Sequence, residues 1–145
     1  MSRYIVDASV GAKWFFEEPH TPEAAALLDA RFELHAPDLV LLEVDNVVCK
    51  RLRRDQISRT DADAVREALR RMPLVLHETA GFLDPAFEIA AATGRSIYDC
   101  VYVALAFAVD GQMVTADRRL LEGMLGSPFE ECVVWIDEAS SQGSR

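Results

Sequence analysis

Cysteine is scarce in this sequence and shows no pairing pattern. Cys49, Cys100 and Cys132 stand far apart, with no Cys-x-x-Cys spacing. An odd, scattered set supports neither a disulfide framework nor a thiolate metal site, so buried free thiols are the expectation. Histidine is equally sparse. His20, His35 and His77 have no ligand spacing and are expected in structural or surface roles. No apolar run approaches the length of a membrane span. The first residues lack a basic-then-apolar signal pattern, and the expected compartment is the cytoplasm. There is no internal repeat, low-complexity block or domain linker.

Positive charge is also in deficit: 15 Lys and Arg face 24 Asp and Glu, for a formal charge of −9. A uniformly acidic surface repels nucleic acid, because affinity for it comes largely from neutralising phosphates. Here the cations are concentrated instead. Lys50, Arg51, Arg53, Arg54, Arg59, Arg66, Arg70 and Arg71 share one segment. A nucleic-acid substrate is therefore not excluded, particularly where bound divalent metal offsets some of the acid.

What is present is a regular alternation of strand and helix signals. With 145 residues, half of them hydrophobic, the chain can build one domain with a real core. Tyr4-Ile5-Val6 reads as a strand buried on both faces and ends at Asp7. A short helix over 9–18 is stopped by Pro19. A second helix opens at Thr21, its expected N-cap, with Pro22 at the first helical position. A strand over 33–36 precedes a long helix to about Arg54, with Asp38 as the expected N-cap. Ser58 caps a helix to about Met72, and strands follow at 74–77, 112–115 and 132–136. Helices are expected at 82–93, ended by Gly94, at 97–109 behind the Ser96 cap, and at 118–124. The pattern is α/β: five strands in a mainly parallel sheet with right-handed crossovers. The domain is expected to cover residues 1–139, and residues 140–145 to form a disordered tail.

Four carboxylates stand out. Asp7 and Asp117 follow two strands, and Asp99 lies three residues after Ser96. Singly, each has an ordinary explanation as part of a helix cap. Glu43 is harder to dismiss, because it interrupts the apolar run Leu39-Val40-Leu41-Leu42 and must reach solvent, a partner or a metal. It lies about 7.5 Å along the helix from Asp38. Asn46 shares its face, whereas Asp45 points elsewhere, to surface or a partner. In an open parallel sheet all four could meet at one crevice beyond the strands' carboxyl ends. One ionised pair ~6 Å apart costs about 3 kcal/mol at an effective dielectric of 20, so such a cluster needs protons, basic partners or cations. Oxygen-only ligands favour Mg²⁺ or Mn²⁺. Such a metal can activate water, neutralise transition-state charge and stabilise the leaving oxygen of a phosphodiester, so no nucleophilic side chain is required.

These residues resemble a known family. The strings Ile5-Val6-Asp7-Ala8-Ser9-Val10, Leu42-Glu43-Val44-Asp45-Asn46-Val47-Val48, Ser96-Ile97-Tyr98-Asp99-Cys100-Val101-Tyr102-Val103-Ala104-Leu105-Ala106 and Val114-Thr115-Ala116-Asp117-Arg118-Arg119-Leu120 are similar to PIN domains, and within them to VapC-type toxin ribonucleases. The likeness runs in order from residue 3 to about residue 137. It implies a five-stranded parallel sheet flanked by helices and metal-dependent endonucleolytic cleavage of RNA with Mg²⁺ or Mn²⁺. It also implies an acidic site of Asp7, Glu43, Asp99 and Asp117, with Ser9 and Thr115 as hydroxyls beside it. Homodimerisation and neutralisation by a small antitoxin are further implications. Two departures are Cys100, where a small Ala is common, and the extra charge of Asp45.

Two other readings compete. A catalytically silent PIN-fold module would act only through protein partners, although it would not need all four acids. A phosphate-accepting receiver-like domain also clusters acids at strand ends, but here the first strand delivers a single Asp and no Lys follows a late strand. For an RNA substrate, the basic residues from 50 to 71, with Arg95, Arg118 and Arg119, are candidate backbone contacts.

Overall fold

The computed structural model describes residues 2–143. Five strands form one sheet in the order β3-β2-β1-β4-β5, and every neighbouring pair is parallel. They are β1 (Ser2–Val6), β2 (Phe32–Pro37), β3 (Leu74–His77), β4 (Gln112–Thr115) and β5 (Val133–Trp135). The helices are α1 (Ala8–Ala12), α2 (Thr21–Ala26), α3 (Leu39–Arg53), α4 (Arg59–Arg70), α5 (Leu83–Thr93), α6 (Ile97–Ala108), α7 (Arg118–Met124) and α8 (Ile136–Gly143).

The apolar run of β1 packs two ways. Ile5 belongs to the core layer that includes Val40, Val44 and Val48 of α3 and Val101 to Ala106 of α6. Tyr4 and Val6 belong to the opposite layer, with Val10, Ala24, Leu27, Trp135 and Ile136. That alternation explains why no polar residue interrupts Tyr4-Ile5-Val6: both faces are covered there. From Cys100 to Ala106 every residue of α6 is buried, so this helix is a central element rather than a half-solvated one. The Tyr4 hydroxyl donates to the Ala139 carbonyl and ties the strand to α8.

Strand order places the site. β1 pairs with β2 on one side and with β4 on the other. The chain leaves β1 toward β2, so the direction of winding reverses between β1 and β4. A crevice opens at such a switch point, beyond the carboxyl ends of the strands. Asp7 directly follows β1, and Asp117 lies two residues after the end of β4.

Some local expectations are corrected. The first helix spans only Ala8–Ala12, because Lys13, Trp14 and Phe15 continue as tighter turns bonded to the third residue back. The Trp14 indole donates to the Ala24 carbonyl at 2.8 Å, a contact that draws the chain toward α2. Thr21 is the first residue of α2 rather than its cap. Its hydroxyl accepts from the Glu18 N–H and donates to the Phe16 carbonyl, while His20, at φ 68°, occupies the cap position. Asp38 precedes α3 but makes no side-chain cap. Its carboxylate accepts from the Thr79 N–H and hydroxyl, and Thr79 Oγ1 accepts from the Leu39 N–H in its place. Ser58, Ser96 and Gly94 stand where their chemistry predicts. Helix α8 takes in residues 140–143, the first part of the segment expected as a tail; residues 144 and 145 lie outside the described residues.

Candidate active site

Four separate segments deliver the acidic side chains to one place. Asp7 comes from the end of β1, Glu43 from the second turn of α3, Asp99 from the first turn of α6 and Asp117 from the start of α7. All four line a cavity of about 210 Å³, together with Ala8, Ser9, Tyr102 and Leu120.

Each capping explanation is also partly true. Asp7 Oδ1 accepts from the Val10 N–H at 2.9 Å and from the Ser9 hydroxyl at 2.8 Å. That uses one carboxylate oxygen and leaves Oδ2 without a hydrogen bond among the described residues. The Asp99 N–H donates to Ser96 Oγ at 3.1 Å. Asp117 Oδ1 accepts from the Arg119 N–H at 2.9 Å, and the Asp117 N–H donates to the buried Thr115 hydroxyl at 3.0 Å. Thr115 thus sets the Asp117 turn from below and does not line the cavity. Ser9 does line it.

Burial and neighbouring charge act together on Asp7, Glu43 and Asp99. Asp7 is pushed from 3.8 up to about 6, first by burial, with the Val10 and Ser9 donors opposing and the charges of Asp99 and Glu43 adding. Glu43 is raised by burial, opposed by a hydrogen bond from Tyr102, with Asp99 adding. Asp99 is raised by burial, opposed by Ser96, with Asp117 raising it further and Arg95 lowering it. None of the four acids forms a salt bridge among the described residues. Carboxylates held close together by burial, with no salt bridge to balance them, are suited to a divalent cation. The donors are all oxygen, as Mg²⁺ and Mn²⁺ require.

Tyr102 is the residue that the sequence reading missed. Its buried hydroxyl donates to Glu43 Oε1 at 2.6 Å. Burial and the neighbouring carboxylates push the phenol upward, so it stays a donor. The signal was available: Tyr102 lies three residues after Asp99, on the same face of α6. Asn46 is exposed and does not line the cavity.

Several other expectations change once side chains are placed. Asp45 points away from the pocket, as expected, and its partners are now identified. It accepts from Arg66 Nε at 2.9 Å and Nη2 at 3.0 Å, and from Arg70 at 3.5 Å, linking α3 to α4. Arg51 bonds Glu18 and lies over the Phe16 ring, Arg59 pairs with Asp63, and Arg71 pairs with Glu67. Arg118 covers Trp135, and Arg95 donates to the Arg119 carbonyl. Of the candidate RNA contacts, Lys50, Arg53, Arg54, Arg95, Arg118 and Arg119 make no side-chain ion pair among the described residues. His35 Nδ1 and His77 Nε2 lie 2.8 Å apart, and His35 Nε2 lies 2.5 Å from Glu33, a structural link between β2 and β3. His20 has a different setting: among the described residues, it forms with Glu23 and Asp137 the group whose ligand atoms lie mutually within 4.8 Å. The four pocket carboxylates do not close to that spacing.

Fold and pocket together define a parallel α/β domain with uncompensated acids at the switch point of its sheet. A family model described as PIN domain matches residues 4–123. Ribonuclease VapC3 of Pyrobaculum aerophilum is 34% identical over 122 residues, which covers 83% of this chain and 93% of that protein. The chain belongs to the PIN domain family, in its VapC-type group. Two solved structures share the fold. The crystal structure of PAE2754 from Pyrobaculum aerophilum has a TM-score of 0.73 at 19% identity, covering 99% of this chain and 90% of that one. A toxin–antitoxin complex from Klebsiella pneumoniae has a TM-score of 0.62 at 15% identity, covering 90% and 95%. No helix among the described residues is long and apolar enough to cross a membrane.

Proposed function

We propose that this chain is an endoribonuclease dependent on Mg²⁺ or Mn²⁺, and the toxin of a toxin–antitoxin pair. The observation that carries the reading is the convergence of Asp7, Glu43, Asp99 and Asp117 on one cavity, with no salt bridge to any of them among the described residues. The relative named Ribonuclease VapC3 supports RNA as the substrate class. When bound, the cation supplies Lewis-acid activation of water and neutralises charge on the phosphodiester.

The chain's own residues have distinct tasks. Asp7, Glu43 and Asp99 hold the principal ion, and Asp117 completes the site. Ser9 and the Val10 N–H fix Asp7 through Oδ1. Tyr102 orients Glu43. Arg119, whose N–H bonds Asp117 at the pocket rim, meets the RNA backbone.

A small antitoxin is the proposed protein partner, supported by the fold shared with a toxin–antitoxin complex. Leu42 and Tyr98, each next in sequence to a pocket acid, are 68% and 59% exposed, apolar side chains that a peptide could cover. A homodimer in the cytoplasm completes the proposal, and sedimentation of the purified chain tests the dimer.

The deciding experiment is RNA cleavage by purified protein with Mg²⁺, with Mn²⁺ and with chelator, beside Asp7→Asn. Cleavage by wild type only with metal, and none by the variant, is the expected result. A protein that binds the ion yet cuts no RNA, or an Asp7→Asn variant as active as wild type, overturns the reading.

A further inference from the structure

Away from the acidic pocket, a second group of metal-ligating side chains joins two distant parts of the chain. His20 precedes α2, Glu23 lies in the first turn of α2, and Asp137 lies in the first turn of α8. One ligand atom from each lies within 4.8 Å of the other two. His20 Nδ1 and Asp137 Oδ1 are 2.8 Å apart. Glu23 Oε2 is shut off from solvent with no hydrogen-bond partner. A buried carboxylate oxygen without a donor is costly, so Glu23 has an unmet requirement at this spot. Trp135 packs edge-on to the His20 ring at 5.5 Å and holds the imidazole from the β5 side. None of the three residues lines the acidic pocket.

We propose that His20, Glu23 and Asp137 bind a divalent transition-metal ion of the Zn²⁺ type, which fastens α8 to the start of α2. One imidazole nitrogen and two carboxylate oxygens are ordinary zinc donors, at ~2.0–2.2 Å, with water in the fourth position. Around a tetrahedral ion such ligand atoms stand roughly 3.4 Å apart, inside the 4.8 Å that bounds the three side chains. The imidazole sets the site apart from the oxygen-only pocket and disfavours Mg²⁺. Its role is mechanical: an ion held by both segments favours the state in which they are docked. The rival arrangement is the His20–Asp137 hydrogen bond alone, without metal.

The test uses tag-free, full-length protein carrying Asp7→Asn and Asp99→Asn, which removes two ligands of the acidic pocket. Zn²⁺ is titrated at neutral pH by calorimetry, Co²⁺ by visible absorption, and melting is followed with and without the ion. One ion per chain at micromolar affinity or tighter is expected, with a melting temperature raised by about 5 °C. His20→Asn keeps a residue that tolerates the left-handed backbone of position 20 and is expected to weaken binding at least about tenfold, abolish the Co²⁺ imidazole spectrum and erase the melting shift. Glu23→Gln is expected to behave alike. Binding confined to millimolar ion, unchanged binding in both variants, or equal stabilisation by Mg²⁺ overturns the proposal, whatever the RNA-cleavage result.

Discussion

The Tyr102 hydroxyl and Glu43 Oε1 are joined by a 2.6 Å hydrogen bond that crosses from α6 to α3. It is the only hydrogen bond to the Glu43 carboxylate among the described residues, and it sits at the floor of the acidic pocket. A bond to a charged group contributes ~1.5–3 kcal/mol, and residues that orient metal ligands change metal affinity by roughly 10–100-fold. Tyr102→Phe is therefore expected to raise the Mg²⁺ concentration needed for half-maximal cleavage at least about tenfold. Excess metal is expected to restore most of the rate. A rate that falls without any change in metal dependence would show that the tyrosine only fills space.

Cys100 adjoins Asp99 in the chain but is fully buried. Burial pushes its thiol up, opposed by the Thr93 hydroxyl, with the charge of Asp99 raising it further and Arg95 lowering it. Cys49 is exposed. Alkylation of the native protein is expected to label Cys49 first, to spare Cys100 and to leave RNA cleavage unchanged, as peptide mass mapping can read. Labelling of Cys100 in the native state would mean that the start of α6 opens.

The β1 run, the apolar length of α6 and the Ser58, Ser96 and Gly94 boundaries were legible in the sequence because each rests on local chemistry. Periodicity exposes a buried strand, and a cap bonds within three residues. The convergence of four acids was legible as an expectation only because parallel sheets gather loops at one edge; their spacing was not. The bond that Asp38 makes and the partner that Asp45 meets are not legible locally for one shared reason. Their partners, Thr79 and Arg66, lie 41 and 21 residues away, and no local pattern announces such pairs. His20 was set aside on the same ground, since Asp137 is 117 residues distant.

The Asp45–Arg66 pair separates stability from catalysis. Both side chains are partly exposed, so even a bidentate pair contributes only about 1 kcal/mol. Asp45→Ala is expected to lower the melting temperature by ~3 °C and to leave cleavage per folded molecule unaltered. Arg119→Ala is expected to do the reverse: unchanged melting, a several-fold higher KM and a salt dependence reduced by about one ion. Parallel melting and cleavage series at three salt concentrations distinguish the two. Equal behaviour of the two variants would contradict the assignment of Arg119 to the RNA backbone.

Asp7 should make the metal-free protein less stable at neutral pH. Its carboxyl is raised from 3.8 to about 6 in the folded chain. The folded state then binds the proton more tightly than the unfolded state does. The resulting stabilisation is complete below pH ~4 and is lost as pH rises through about 6. Full conversion of the shift gives about 3 kcal/mol, and solvent at the pocket mouth reduces this to on the order of 2 kcal/mol. Asn at this position can still accept from the Val10 N–H, so it keeps the cap but removes the charge. With chelator at pH 7.5, Asp7→Asn is expected to melt about 5 °C above wild type, and the difference is expected to vanish by pH ~4. Saturating Mn²⁺ should raise wild type toward the variant, because the ion binds only the folded site. A chelated wild type as stable as Asp7→Asn at pH 7.5 would mean that the pocket tolerates its charge unaided, and the case for a cation there would lose its physical basis.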